Sequence, residues 1–148
     1  MIDTELMKTK IRNIQQYLDE IRHILSLNAK DIIDNIEKLK TLERNFQLIV
    51  DEALDINIHF IKNLDLKSPD DFQSTFKILG ENSILPNDFA QKIAPVVAVR
   101  NRLVHRYEVL DKQLFVENFQ KHYTDFEKYM KSVDDYLEKI EKNKIKPN

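Results

Sequence analysis

The chain has 148 residues with 23 basic and 25 acidic side chains, a formal net charge of −2, so no global basic field recommends nucleic acid as a ligand. It contains no cysteine, which excludes a disulfide scaffold and any thiolate metal centre, and its unbroken apolar runs are too short to cross a bilayer. One domain covering 1–148 is expected; Met1-Ile2-Asp3-Thr4-Glu5 lacks the basic start and apolar block of a secretory leader, so the expected setting is the cytoplasm.

One glycine and four prolines, set among many Leu, Ile, Glu, Lys and Gln residues, point to an all-α chain. Leu6, Ile14, Tyr17, Leu18, Ile21 and Leu25 recur mostly at helical spacing and predict a first amphipathic helix over about 3–27. Residues 28–34 read as a joint. Beyond it, Leu39, Leu42, Phe46, Ile49, Val50, Ala53, Phe60, Ile61 and Leu64 mark one stripe of a long second helix. Ser68-Pro69-Asp70-Asp71 offers a cap, a first-turn proline and two carboxylates at the positive end of the helix dipole, which predicts a short third helix ending at Gly80. Pro86 opens a fourth helix that Pro95 must kink or restart. Asp111 caps a last helix carrying Leu114, Phe115, Phe119, Phe126, Met130, Val133, Leu137 and Ile140, with a lysine-rich tail after about residue 141 expected to fray.

The chemically distinctive stretch is Arg100-Asn101-Arg102-Leu103-Val104-His105-Arg106-Tyr107. On a helical wheel at about 100° per residue, Val96, Val99, Leu103, Val104 and Leu110 share an arc, and Arg100 and Tyr107 lie near its middle. A guanidinium in an apolar stripe needs an acceptor. Glu43, which interrupts the stripe of its own helix, is the expected partner. His105 lies five residues from Arg100, about 140° away on an ideal helix. Either the helix loosens near His105, or the two side chains cooperate across a two-fold dimer with Arg100 and Arg102 of each chain facing a shared cleft.

These residue types allow one reaction in particular. An RNA phosphodiester can be cut by its own 2′-hydroxyl, and an imidazole can take that proton or protonate the leaving 5′-oxygen near neutral pH. A guanidinium can bind the phosphate and offset the charge that builds on its oxygens. Asn101, four residues before His105, can orient the imidazole or the phosphate. Arg102 and Arg106 are candidate RNA contacts, and no metal is required. The bland reading is a structural network of Arg100, Tyr107 and Glu43 with a surface histidine. His59 and His122 read as structural, and His23 and Asp55 are too isolated to propose as metal ligands, so no metal site is expected. Lys139, Lys142, Lys144 and Lys146 read as a solvated helix end.

The Arg-x4-His-x-Tyr spacing resembles the motif of the HEPN superfamily, and most of all its HepT type of ribonuclease toxin. Further pieces occur in order: Glu43, Arg44 and Gln47, then Asp55 and His59, then the short segment 72–86 before the motif helix. The likeness runs from about residue 36 to 130, with Pro95 as a departure close upstream of the motif. It implies a four- to five-helix HEPN-type bundle in antiparallel up-down arrangement, assembled as a two-fold homodimer. It further implies metal-independent cleavage of cellular RNA, tRNA being one option, with Arg100 and His105 as the essential pair and no cofactor. The implied partner is an MNT-type nucleotidyltransferase antitoxin that adds AMP to Tyr107. A non-catalytic HEPN dimer that scaffolds the nucleotidyltransferase, or a plain helical adaptor, are the alternatives.

Overall fold

The computed structural model describes residues 1–105 and 109–143. Within them the chain forms eight helices: α1 Thr4–Leu25, α2 Ala29–Ile33, α3 Ile36–Asn63, α4 Phe72–Glu81, α5 Asn87–Ile93, α6 Val96–His105, α7 Lys112–His122 and α8 Thr124–Asn143. Asp3 caps α1 by accepting from the Leu6 N–H, and Asn35 caps α3 through the Lys38 N–H. The buried stripe of α1 begins at Met7 rather than at Leu6, which is 41% exposed. Residues 28–34, expected as a joint, hold the short helix α2, whose five residues are too few for a periodic pattern to register.

Polar pairs fix the direction of the long helices. The Asp3 N–H donates to His59 Nε2 at 3.0 Å, Lys10 meets Asp55 at 3.0 Å, Asn13 donates to Glu52 at 3.0 Å and Asn45 donates to the Tyr17 carbonyl at 2.9 Å. Partner numbers fall on α3 as they rise on α1, so the two helices are antiparallel. Phe46 packs edge-on against Phe126, and Phe60 against Tyr136, so α8 runs parallel to α3. Lys8 and Glu141, with Arg22 and Glu127, set α1 antiparallel to α8. One apolar cluster takes side chains from all eight helices. At its centre Tyr129 donates its hydroxyl to Asn57 Oδ1 at 2.6 Å, also 3.0 Å from the Ala53 carbonyl, and Asn57 donates onward to Thr75 at 3.1 Å. All three side chains are fully buried, and burial raises the Tyr129 phenol well above its ordinary range.

Three expectations about helix ends change. α4 starts after Asp71, not at Ser68, because Asp71 and Ser74 form a reciprocal capping box, with Asp71 accepting the Ser74 N–H at 2.7 Å. Gly80 does not end α4. It lies inside the helix, and the left-handed backbone falls instead on Ser83 at φ 60. The glycine is there for a close approach: a Cβ at Gly80 would stand 2.6 Å from Ala90 Cβ and 3.3 Å from Asn87 Cα on α5. Gly80→Val is therefore expected to destabilise by about 1–3 kcal/mol through overpacking. Thermal unfolding checks it, with partial recovery in Gly80→Val/Ala90→Gly. Finally, the last helix is two, α7 and α8, joined at Tyr123, where the Phe126 N–H turns to the Tyr123 carbonyl at 3.1 Å. Asp111 caps α7 as expected, and Pro95 restarts the chain between α5 and α6 through tight turns to Ala94 and Pro95 carbonyls.

Candidate functional site

α6 presents the distinctive residues on a helix with little buried surface of its own, since Val97 is its one buried residue and Val96, Val99, Leu103 and Val104 are half-buried. Arg100 leaves this partly covered face toward α3. Its Nε donates to Asp51 Oδ1 at 2.8 Å, and an Nη donates to Asn101 Oδ1 at 3.3 Å. Glu43, the expected partner, is engaged elsewhere: it accepts from Lys112 at 2.7 Å at the start of α7 and lies 3.4 Å from Lys40. Glu43 and Asp51 share one face of α3, two turns and about 12 Å apart. The demand for an acceptor was sound, and the register of α6 on α3 selects the other carboxylate. Ion-paired at 24% and 34% side-chain exposure, Arg100 and Asp51 hold the guanidinium near the surface. Among the described residues, these two contacts occupy two of its five N–H donors.

His105 is the last residue of α6 and is exposed, as is Arg102 one turn before it. The helix stays intact through His105, so it does not loosen in a way that would turn the imidazole toward Arg100. The two side chains leave one α6 about 140° apart. Asn101 turns its oxygen to Arg100 rather than to His105. Arg106 and Tyr107 lie outside the described residues. The structure thus brings Arg100 and Asn101 together, places His105 five residues on along the same helix, and adds Asp51, which no spacing in the sequence singles out.

Asp55 and His59 face away from this region and serve the packing of α1, as Lys10 and the Asp3 N–H show. Burial lowers the His59 pKa, favouring the neutral imidazole that accepts from Asp3. Among the described residues no cluster of three or more His, Cys, Asp or Glu side chains is arranged to hold a metal ion. No helix among them is long and apolar enough to cross a membrane. Beside α6, α7 and α8 border a cavity of about 440 Å³ that periodicity did not reveal, with Arg102 at its rim.

A family profile described as Ribonuclease HepT-like matches residues 14–133. The chain belongs to the HepT-like family. Among its relatives, the tRNA nuclease HepT of Aphanizomenon flos-aquae (strain 2012/KM1/D3) is 30% identical over 141 residues, covering 95% of each chain. The mRNA nuclease HepT of Shewanella oneidensis is 27% identical over 126 residues, covering 85% of this chain and 94% of that one. The solved structure of a tri-AMPylated Shewanella oneidensis HEPN toxin in complex with MNT antitoxin superposes with a TM-score of 0.80 at 20% identity, over 91% of this chain and 99% of that one. The fold is that of the HEPN toxins, and the HepT-like match spans every helix from the middle of α1 to the middle of α8.

Proposed function

We propose that this HepT-like chain is a ribonuclease toxin that cuts RNA without a metal, with His105 as general acid or base and Arg100 as the phosphate-binding group. The observation that carries the reading is the placement of a half-buried guanidinium, steadied by Asp51, on the same short helix as an exposed imidazole in a chain of this family. Arg100 then meets the scissile phosphate with its remaining donors, and an imidazole takes the 2′-hydroxyl proton or protonates the leaving 5′-oxygen. The nucleophile belongs to the substrate, which is why no metal is needed to generate one. The relatives carry different named targets, tRNA and mRNA, so RNA as a class is the proposed substrate. Asn101 steadies the Arg100 guanidinium, while Arg102 and Arg106 supply phosphate contacts.

Because Arg100 and His105 diverge on a continuous helix, a two-fold homodimer that joins the motif helices is part of the proposal: each active centre takes its arginine and its histidine from different copies. Glu43 serves this arrangement indirectly, by fixing the start of α7 through Lys112. The test is incubation of the purified chain with total RNA in the presence of a chelator. Cleavage that survives chelation supports the reading, and intact RNA at all protein concentrations overturns it.

Regulation follows from the same positions. The proposed partner is an MNT-type nucleotidyltransferase antitoxin that attaches AMP to Tyr107, two residues beyond the imidazole. Each attached phosphate places negative charge against the arginines that RNA needs, so modification silences the site by occupation rather than by unfolding. Co-expression with such an enzyme is expected to make the chain heavier by whole AMP units in intact-mass spectra. Tyr107→Phe should lose the increment and stay active; added mass mapping to another residue would remove Tyr107 from this role.

A further inference from the structure

We propose that the cavity bounded by α6, α7 and α8 is a base-selecting subsite, which receives one nucleobase of the RNA strand beside the cleavage centre and favours bases with an exocyclic amine. The inference rests on the ribonuclease reading and adds to it a residue-level account of sequence preference.

The cavity is about 440 Å³, within the range of small-ligand sites. Val96 and Val99 of α6, Leu110 and Leu114 give it apolar walls, and Phe46 and Phe115 lie at its base. Its lip is unusually apolar for open surface: Val109 is 99% exposed and Leu114 is 54% exposed. Arg102, one turn before His105 on α6, is among the lining residues, so the helix that carries the proposed acid or base also contributes to the cavity wall.

The polar groups at the cavity argue for a nucleotide over an apolar side chain of a partner protein. Lys92 and Arg102 bring positive charge to the lining, and Asp125 contributes a carboxylate on a side chain that is 12% exposed. Lys92 Nζ lies 3.5 Å from Asp125 Oδ1 and His122 Nδ1 4.0 Å from Oδ2, and since each carboxylate oxygen can accept a second hydrogen bond, the group has acceptor capacity for a donor inside the cavity. An aliphatic side chain has nothing to offer it. The amines of adenine, cytosine and guanine do, whereas the single N–H of uracil is flanked by two carbonyl oxygens that a carboxylate repels. The apolar walls take the base and Asp125 reads its edge, as apolar pockets with a few convergent polar groups do.

The test uses the full chain carrying His105→Ala, so that bound strands stay intact, with short fluorescein-labelled oligo(A), oligo(C) and oligo(U) followed by anisotropy. Oligo(A) and oligo(C) are expected to bind about tenfold more tightly than oligo(U). Leu114→Asp, a change at an exposed position, and Val99→Trp, which fills the cavity, should each weaken oligo(A) binding about tenfold, in line with the loss of one seated base. Asp125→Asn should narrow the oligo(A) to oligo(U) ratio. Equal affinity for the three polymers, or oligo(A) binding untouched by both Leu114→Asp and Val99→Trp, overturns the subsite. So does a Leu114→Asp chain that binds RNA normally and loses its nucleotidyltransferase partner, since the cavity is then a protein-docking groove. Parallel cleavage assays on the parent separate the two levels: cleavage without base discrimination removes only the subsite, and discrimination without cleavage removes the ribonuclease reading.

Discussion

His105→Ala is expected to lower RNA cleavage by about 10²- to 10⁴-fold, the usual worth of a positioned general acid or base, on the order of 3–5 kcal/mol of barrier. The fold should survive. His105 is exposed at the last position of α6, outside the apolar cluster, and substitutions at such surface positions usually shift stability by less than about 0.5 kcal/mol. The pairing of a large kinetic loss with an unchanged unfolding midpoint is what the proposed role requires, measured by gel-resolved cleavage of total RNA and by circular dichroism on the same preparation. A folded His105→Ala chain as active as its parent would end the catalytic assignment. Arg100 makes a useful contrast, because its removal strands the Asp51 carboxylate and so mixes stability with activity. Arg100→Lys keeps the charge but loses the planar fork, and belongs beside it as a control.

The largest effect on stability is expected at Tyr129. Its side chain is fully buried, packs against Phe76 with ring centroids 5.7 Å apart, and places its hydroxyl 2.6 Å from Asn57 Oδ1. Tyr129→Ala should cost about 3–5 kcal/mol by opening a cavity in the centre of the bundle. For a domain of this size each kcal/mol lowers Tm by roughly 2–4 °C, so the fall should exceed about 6 °C. Tyr129→Phe separates packing from hydrogen bonding. The ring remains, Asn57 Oδ1 loses its donor, and the cost should be about 1–3 kcal/mol. A Phe variant as unstable as the Ala variant would mean that the hydrogen-bond network, rather than the ring, carries the core.

Much of this architecture was legible in the sequence because it follows from period and punctuation. The stripe of α3 and the Asp111 cap of α7 emerged where apolar spacing and capping chemistry placed them, as did the restart at Pro95. Gly80 was misread because glycine has two uses, and only the approach of α5 distinguishes close packing from a left-handed cap. The boundary at Tyr123 escaped notice since apolar spacing passes through it almost in phase, with Phe119 and Phe126 both reaching Phe46. In the candidate site the residue types were readable and their partners were not. That a half-buried Arg100 needs a carboxylate is a local inference; that Asp51 rather than Glu43 supplies it depends on how far α6 slides along α3, which no periodicity encodes. Lys92, Leu114 and Asp125 come to the cavity from α5, α7 and α8, so its shape depends on how those helices pack, which periodicity does not encode.

α6 has one fully buried residue, Val97, with Val96, Val99 and Leu103 half-buried against the core and Arg100 in a partly exposed ion pair, in contrast to the long buried stripes of α1 and α3. Protein stability is not uniform, and segments with few buried contacts open locally at a free energy well below that of global unfolding. The candidate catalytic helix is therefore expected to open at a lower cost than α1 or α3, which a comparison of amide hydrogen exchange along the three helices checks. A second copy, an RNA strand or an antitoxin that grips only this helix draws on a small local free energy, and can switch the population of competent sites many-fold while the core stays as it is.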